Sequence, residues 1–212
     1  MGKTLKKYNR VQLILYREMS LKILGVASSM REISYSTHIL KQALEKSEKN
    51  GAETRLLDLR KLQLPMYHPE KNNSPEIDKV TEYVKWADAF ILASPDYHGS
   101  MSGVMKNFLD FFWSDFAGKT FGYICASHEK GLTAMDQMRT AVRQCYGWSM
   151  PYGVSVNSDQ DFDKQGNITN ENIISRIETI GRDLVVYGSL IADQYKKDLQ
   201  SEESNTFAAR YR

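Results

Sequence analysis

The sequence predicts a doubly wound α/β fold built on a parallel sheet. Five short apolar segments alternate along the chain with segments of helical periodicity, each of about 11–25 residues. Polar loops follow the first, third and fourth apolar segments, where ligand-binding loops lie in such sheets. The 212 residues are enough for one well-buried domain and few for two, and no internal repeat or linker divides them.

The first half of the chain contains three predicted strands and two predicted helices. The strands cover residues 21–27, 53–59 and 89–93, and the helices cover 36–50 and 74–87. Asn50-Gly51 ends the first helix with a pair that tolerates the left-handed conformation. Ser74 can cap the second helix and Pro75 fits its first position, so its start is well marked.

The second half contributes two strands and three helices. Helices are predicted over 102–112, 132–146 and 170–195, and strands over 121–126 and 151–156. The last residues, 198–212, are polar and we expect them to fray. One domain over residues 21–197, with strand order 2-1-3-4-5, would bring the loops after strands one, three and four together.

Charge is distributed unevenly along the chain. The net charge is +2, but residues 1–20 carry five basic side chains against one glutamate, which leaves −2 for the remainder. A near-neutral body gives no electrostatic argument for nucleic-acid binding. We expect residues 1–20 to be a basic extension outside the domain, non-native or flexible, with subunit contact as the favoured role and a membrane-surface or transit segment as the less favoured alternative.

Composition points to a soluble protein in a reducing compartment. Apolar residues make up 42% and charged residues 25% of the chain, as in ordinary globular proteins. No apolar run approaches the ~20 residues that a membrane-spanning helix needs. Cys125 and Cys145 fit neither a disulfide framework nor a metal-ligand spacing. We therefore expect a cytoplasmic protein in which both cysteines serve packing.

The loop after the first strand is rich in hydroxyl groups and opens a helix. Its members are Ser28, Ser29, Ser34, Ser36 and Thr37, with Arg31 among them. Hydroxyls, free backbone N–H groups and the positive end of a helix attract an anion, to which Arg31 can donate two hydrogen bonds. The spacing matches neither the Walker loop nor the Gly-x-Gly-x-x-Gly turn, and it suits a terminal phosphate monoester. Helix capping and turn formation would account for the same residues about equally well.

The loop after the third strand, residues 94–100, combines a proline, two flat side chains and a glycine. Pro95 fixes its backbone, Tyr97 and His98 offer flat faces, and Gly99 permits close approach of a flat ligand. The alternative is an ordinary strand–helix connection with a partly buried tyrosine. Alone, this loop is a weak indication.

Together the two loops resemble those of a known family. Residues 25–36, Gly-Val-Ala-Ser-Ser-Met-Arg-Glu-Ile-Ser-Tyr-Ser, resemble the Gly-(Ser)-x-Arg-x-x-Ser-x-Asn phosphate loop of the NAD(P)H-dependent FMN reductases. Residues 94–107 resemble that family's Pro-Glu-Tyr-Asn-Gly-Ser-x-x-Gly-x-x-Lys-Asn signature, with its Tyr, Gly-Ser, Gly and Lys-Asn at matching offsets. The resemblance covers residues 21–190 or so. It implies a flavodoxin-like fold and membership among flavin, quinone, azo-dye and chromate reductases.

The match has departures. Asp96 stands where the family has Glu, and His98 and Ser36 stand where it has Asn, and all three keep hydrogen-bonding capacity. The third loop, residues 127–131, reads Ser-His-Glu-Lys-Gly where family members often carry a Gly-Gly-rich turn. A cation in this loop could stabilise the charge of a reduced flavin.

The resemblance implies FMN as cofactor and assigns residues to it. Its phosphate would be held by Ser29, Arg31, Ser34, Tyr35 and Ser36. The isoalloxazine edge would be wrapped, chiefly by backbone groups, by Pro95, Asp96, Tyr97, His98, Gly99 and Ser100, and the remaining side closed by Ser127 and His128. No catalytic side chain and no metal is expected, because the flavin carries the chemistry.

The implied activity is that of an oxidoreductase. NADPH or NADH would deliver hydride to flavin N5, and a small-molecule acceptor such as a flavin or quinone would then take the electrons in a ping-pong cycle. His98 or His128 could protonate a quinone product, although a hydrogen-bonded loop histidine is commoner. Nothing in the sequence decides between NADPH and NADH.

The resemblance also implies a homo-oligomer, dimer or tetramer, with sites at the subunit interface. The aromatic segment 104–116 has more bulky surface than one sheet face needs, so part of it is a candidate interface. The alternative is that the sheet covers all of it. Two other functions stay open: a flavodoxin-type electron carrier for a protein partner, which the near-neutral body and unlike first loop disfavour, and a dimerising or regulatory protein that has lost FMN.

Overall fold

Strands and helices alternate in the computed structural model, which describes residues 20–71 and 73–212. The expectations for residues 1–19 lie outside the described residues. The strands are β1 (Lys22–Ala27), β2 (Glu53–Asp58), β3 (Ala89–Tyr97), β4 (Ser100–Met101), β5 (Thr120–Ala126), β6 (Trp148–Ser149) and β7 (Val154–Val156). The α-helices are α1 (Tyr35–Lys49), α2 (Pro75–Trp86), α3 (Gly103–Asp110), α4 (Leu132–Gln144) and α5 (Glu171–Gln200). Short 3₁₀ turns lie at Leu59–Lys61, Ser114–Phe116 and Phe207–Tyr211.

The strands form one sheet with the order β2-β1-β3-β5-β6, and β7 also pairs with β5. β1 lies parallel to both β2 and β3, with Gly25 opposite Leu56 on one side and Ile91 on the other. β3 runs parallel to β5. This arrangement agrees with the predicted order 2-1-3-4-5 of a flavodoxin-like fold, whose ligand site lies where the strand order reverses.

β3 is longer than predicted. It continues beyond residue 93 to Tyr97, so Ser94, Pro95, Asp96 and Tyr97 are strand residues and not loop residues. Pro95 lies opposite Ala126 of β5, and Asp96 pairs with β4 in a short hairpin. β1 ends opposite Ala93, so one side of β3 is open beyond that point. A proline is tolerated where one side of a strand is unpaired.

Of the predicted last strand, residues 151–156, only 154–156 form a strand, β7, and the short strand β6 precedes the predicted range. β6 pairs with the beginning of β5 and β7 with its end. Pro151 lies between them and has no N–H to donate to the ladder, so the edge of the sheet is interrupted there.

Each face of the sheet carries its own apolar core. Leu24 and Val26 of β1 face a cluster that includes residues of α2, α3 and α4. Ile23 and Ala27 face the opposite cluster, which α1 and α5 cover. This alternation follows from the two-residue period of a strand with helices on both faces. Within residues 20–71 and 73–212, no helix combines the length and the apolar character needed to cross a bilayer.

The aromatic segment 104–116 is mostly covered within the subunit. Phe108, Phe112 and Phe116 are buried in the core beside β3 and β5. Trp113, 66% exposed, remains as its large exposed ring. The expected surplus of bulky surface is therefore small, because the segment turns after α3 and directs its rings inward.

The C-terminal segment is more ordered than predicted. α5 continues to Gln200, and Ala208 is buried. The ring of Phe207 lies 5.2 Å and that of Tyr211 6.2 Å from the ring of Tyr146. The expectation of fraying over residues 198–212 is wrong, because these aromatic contacts anchor an otherwise polar segment.

Candidate functional site

A cleft opens at the carboxyl ends of β1, β3 and β5, where the loops that follow these strands meet. Its lining consists of Ser29, Arg31, Ser34, Tyr35, Ser36, Pro95, Asp96, Tyr97, Ala126, Ser127, His128 and Ser158. Ten of these are among the thirteen site residues expected from the sequence. Four segments that are separated in sequence meet here, at the place where open α/β sheets bind ligands.

The first loop presents hydrogen-bond donors at the start of α1. Ser34 caps the helix, and its Oγ accepts the Thr37 N–H at 3.2 Å and lies 3.1 Å from Ser36 Oγ. Ser29 Oγ accepts the N–H of Arg31 at 3.3 Å. Among the described residues, no acceptor is hydrogen-bonded to the backbone N–H groups of residues 32–36. These amides, the helix dipole and the Arg31 guanidinium together favour an anion of the size of a phosphate.

The remaining side chains of this loop are held in place by packing. Ser29 and Ser36 are only 3% and 1% exposed. The ring of Tyr35 lies 4.5 Å from that of Phe162, which comes from the segment after β7. Donors on a rigid frame lose little entropy when an anion binds.

A buried chain of serine hydroxyls fixes the first and second loops relative to each other. Ser102 Oγ donates to Ser28 Oγ at 2.8 Å, and Ser28 Oγ donates to the carbonyl of Ala93 at 3.1 Å. Ser94 Oγ accepts the Ser102 N–H at 2.9 Å and donates to the carbonyl of Pro95 at 2.8 Å. All three serines are buried, so this network ties the end of β1 to the end of β3 and the start of α3.

The second loop is a tight hairpin between β3 and β4. Its two central residues are His98 and Gly99, whose φ angles are 57° and 75°. Positive φ at both positions defines the type I′ turn that joins two strands through two residues. A Cβ on Gly99 would meet no atom within 4 Å, so the left-handed backbone, and not crowding by the protein, accounts for the glycine.

The Asp96 carboxylate joins this turn to the third loop. Its Oδ1 accepts the Gly99 N–H at 2.8 Å, and its Oδ2 accepts the Ser127 hydroxyl at 3.0 Å. Tyr97, next along β3, lines the cleft with a ring that is 40% exposed. The cleft therefore has a flat aromatic face beside a hydrogen-bonded loop junction.

Hydrogen bonds with Gln137 of α4 fix the turn residues on the side away from the cleft. Gln137 Oε1 accepts the Ser100 hydroxyl at 2.7 Å, and Gln137 Nε2 donates to the Gly99 carbonyl at 3.4 Å. His98, Gly99 and Ser100 are not among the residues that line the cleft. Gln137 was not expected from the sequence, and nothing in its helical surroundings marks it.

The third loop is braced by the segment that follows β7. Ser127 N–H donates to the Val156 carbonyl at 2.9 Å, and Asn157 Nδ2 donates to the His128 carbonyl at 2.7 Å. The His128 side chain is 83% exposed, with its Nδ1 3.7 Å from Asp159 Oδ2. Ser158 and Ala126 are lining residues that sequence reasoning missed, although the end of a fifth parallel strand is expected at this same edge.

The Lys-Asn pair of the signature serves the scaffold. Lys106 forms an exposed ion pair with Asp110 at 2.5 Å. Asn107 Oδ1 accepts the Tyr67 N–H at 2.7 Å, and its Nδ2 donates to the Pro65 carbonyl at 2.9 Å. Asn107 therefore fastens the loop before α2 to α3, away from the cleft lining.

Neither cysteine has the character of a reactive thiol. Burial, together with the nearby Asp96 charge, raises the pKa of Cys125 to about 12. Burial also raises the pKa of Cys145, and both cysteines are free. Thiols with raised pKa values are poor nucleophiles at neutral pH, in agreement with their expected packing role.

The pattern of residues that forms this cleft is found in known proteins. The family model of the NADPH-dependent FMN reductases matches residues 21–161, a stretch that contains all three loops. The chain belongs to the NADPH-dependent FMN reductase family. The expected flavodoxin-like fold, FMN dependence and NAD(P)H oxidoreductase class are thereby confirmed.

Individual relatives agree with this membership. The chain is 28% identical over 199 residues to the NADPH-dependent FMN reductase ArsH of Rhizobium meliloti (strain 1021). This alignment covers 88% of this chain and 81% of that protein. It is 28% identical over 155 residues to the NADPH azoreductase of Bacillus sp. (strain OY1-2). That alignment covers 71% of this chain and 85% of the azoreductase. The flavoenzyme NAD(P)H:(acceptor) oxidoreductase FerB of Paracoccus denitrificans matches with a TM-score of 0.64 over 82% of this chain and 98% of that chain, at 18% identity. That structural likeness shows a shared fold.

Proposed function

We propose that the cleft holds FMN and that the enzyme uses it to pass electrons from NAD(P)H to small acceptors. The observation that carries this proposal is the pairing of two unlike ends in one cleft. One end offers amide donors that no acceptor in the described part of the chain uses, and the other offers the exposed ring of Tyr97. A molecule with a phosphate at one end and a flat ring at the other fits both.

The phosphate end is proposed to act through the first loop. The residues that would hold the phosphate are Ser29, Arg31, Ser34, Tyr35 and Ser36. The backbone N–H groups at the start of α1 would donate to the phosphate oxygens, and Arg31 would balance their charge. The chemistry of this donor set fits a phosphate monoester.

The ring end is proposed to be enclosed by the second and third loops. Pro95, Asp96 and Tyr97 would lie along one edge of the isoalloxazine, and Ser127 and His128 along another. The turn residues His98, Gly99 and Ser100 would contribute through their backbone, in a position fixed by Asp96 and Gln137. These groups bind and orient the ring and shield it from water on one side.

The reaction needs no protein nucleophile. FMN, when bound, would supply the redox chemistry, the transfer of electrons from NADPH or NADH to a small acceptor in a ping-pong cycle. The protein supplies a rigid frame, an open ring face for stacking and hydrogen-bond donors at the third loop. Acceptors that only need to stack, such as flavins, quinones or azo compounds, are the proposed substrates, and one relative is named an azoreductase.

We further propose a cytoplasmic homo-oligomer, dimer or tetramer. The two free cysteines support a reducing compartment, and the exposed rings of Trp113 and Trp148 offer apolar surface for a subunit contact. Residues 21–197 form the proposed domain, with 1–20 and 198–212 as extensions. Light scattering at micromolar concentration tests the oligomer, since a monomer would contradict it.

Retention of FMN and turnover by the isolated protein test the proposed function. The apoprotein is mixed with FMN, desalted, and assayed for NAD(P)H oxidation with a quinone and with no protein partner present. We expect one FMN per subunit to remain and NAD(P)H to be consumed. A protein that retains FMN without oxidising NAD(P)H would be an electron carrier, and a protein that stays colourless would have lost the cofactor.

A further inference from the structure

A second groove adjoins the cleft on the outer side of the first loop. The two share Ser29, Arg31, Ser34 and Tyr35, so the first loop lines both. The other walls of the groove come from α1, from the 3₁₀ turn after β2 and from residues 163–166. A long ligand that lies over the cleft can therefore reach the groove by passing over the first loop.

The groove is rich in cations. Its lining includes Arg31, Lys41, Arg60, Lys61 and Lys164 against the carboxylates Glu32, Asp58 and Asp163. Its formal charge is thus +2, or +1 without Arg31, which the proposed function assigns to the FMN phosphate, in a chain whose residues 21–212 sum to −2. A local excess of this sign in a concave surface raises the concentration of anionic ligands there.

Apart from Arg31, which the proposed function assigns to the FMN phosphate, the cations of the groove have no assigned partner among the described residues, whereas two of its three carboxylates are engaged in hydrogen bonds. Within the described part of the chain, no ion pair or side-chain hydrogen bond engages any of the five cationic groups. Asp58 accepts the N–H of Arg60 at 3.1 Å, and Asp163 accepts the N–H groups of Gln165 and Asn167 at 2.9 and 2.8 Å. The carboxylates serve the backbone of their loops, which leaves the guanidinium and ammonium groups to meet a ligand.

We propose that this groove binds the 2′-phosphate of NADPH, with Arg60 and Lys41 as its principal contacts. The inference rests on the proposed function, in which the nicotinamide stacks on the flavin in the adjoining cleft. Arg60 follows β2, whose carboxyl end lies beside that of β1 at the ligand-binding edge of the sheet. NADPH differs from NADH by one phosphate monoester, and the planar guanidinium of arginine recognises that group well. The FMN phosphate has its own donors at the start of α1, so the groove is free for a second one.

The test combines binding and turnover. The double variant Arg60→Gln/Lys41→Gln is compared with Lys79→Gln/Lys85→Gln, which removes two exposed charges from α2. Calorimetry measures the binding of adenosine 2′,5′-bisphosphate and of 5′-AMP, and steady-state assays give the ratio of kcat/KM for NADPH to that for NADH. We expect the groove variant to lose about tenfold in bisphosphate affinity and in that ratio, with 5′-AMP binding and FMN affinity unchanged and no effect in the α2 variant.

Several outcomes would overturn this assignment. An unchanged ratio with unchanged bisphosphate binding would show that the groove does not recognise the 2′-phosphate. A fall in FMN affinity would assign the groove to the cofactor, and a fall in kcat/KM for FMN as acceptor alone would assign it to a second flavin. If the FMN-loaded wild type oxidises neither coenzyme, the proposed function fails, while bisphosphate binding still decides the role of the groove.

Discussion

The Ser127 hydroxyl donates a 3.0 Å hydrogen bond to the carboxylate of Asp96 and so joins the loops that follow β3 and β5. The other oxygen of the same carboxylate accepts the Gly99 N–H at 2.8 Å. One side chain thus sets both the hairpin turn and the third loop. Asp96 stands where the resembling signature has Glu, and in this chain the shorter side chain reaches both partners.

This junction predicts coupled effects on FMN binding. Asp96→Ala and Ser127→Ala should each weaken FMN binding, about fivefold to tenfold, because a charge-assisted hydrogen bond that orders the site is lost. The double variant should bind little worse than Asp96→Ala, since the two changes remove one shared interaction. Fluorescence titration of the apoproteins measures this, with Ser114→Ala as an exposed control. Fully additive losses would show that the two residues act independently.

Arg31 is predicted to bind the phosphate of FMN and to make no contact with its isoalloxazine ring. Arg31→Gln should raise the Kd for FMN by about 10- to 100-fold, the effect expected when a hydrogen bond between two charged groups is lost. The Kd for riboflavin, which has no phosphate, should stay the same. Arg143→Gln, an exposed arginine of α4, is the matched control. Equal losses for FMN and riboflavin would place Arg31 elsewhere in the site.

The hairpin turn predicts an order of stability among variants at residue 98. Its φ of 57° favours Gly and Asn and opposes β-branched side chains. His98→Val should lower the free energy of unfolding by about 1–2 kcal/mol, whereas His98→Asn and His98→Gly should leave it equal or higher. Urea unfolding measures the series. A valine variant as stable as the asparagine variant would argue against the left-handed conformation.

The lowered pKa of the buried Lys119 predicts that the free energy of unfolding rises with pH. Burial lowers its pKa from the ordinary value of 10.5 to about 8, although its Nζ donates to the Val84 carbonyl at 2.6 Å. Between pH 8 and 10.5 the unfolded chain therefore holds more protons at this group than the folded chain does, so this group's contribution to the free energy of unfolding increases across that window. Below pH 8 Lys119 is charged in the folded and in the unfolded chain, so its burial lowers the free energy of unfolding by an amount that does not change with pH.

The Lys119→Met variant isolates this contribution. Urea unfolding of the wild type and the variant at pH 7.5 and 9.5 should show a gain with pH that is larger in the wild type by about 1–2 kcal/mol. Other groups that titrate in this range cancel in the comparison. Lys85→Met, at an exposed site of α2, should follow the wild type. Parallel pH profiles for the wild type and Lys119→Met would contradict the assignment.

Local sequence signals were enough to predict the main helices, the central strands and the first loop. Ser74 was predicted as a helix cap because capping depends on a few adjacent residues, and Ser34 was among the loop serines for which capping was the alternative interpretation. The apolar runs of β1, β3 and β5 were readable because strands buried on both faces lack polar positions. The first loop was readable as an anion site since hydroxyls, an arginine and a helix start lie together in the chain.

The features that the sequence did not predict depend on contacts between distant segments of the chain. The strand was predicted to end at residue 93 and Pro95 to lie in the loop, yet pairing with β5 and β4 continues the strand to Tyr97. Gln137 and Ser158 reach the site only through tertiary packing, and no neighbouring residue in the sequence indicates their role. The C-terminal segment was expected to fray on composition, and its order comes from two rings that meet Tyr146.

An anaerobic titration of the FMN-loaded protein with NADPH and NADH, followed by absorbance, tests the central claim most directly. We predict an oxidised flavin spectrum that bleaches with one equivalent of NADPH per subunit and recovers when a quinone is added. A flavin spectrum that neither coenzyme bleaches, or a protein that holds no flavin after reconstitution and desalting, would contradict the assignment of this cleft as the seat of NAD(P)H-dependent flavin reduction.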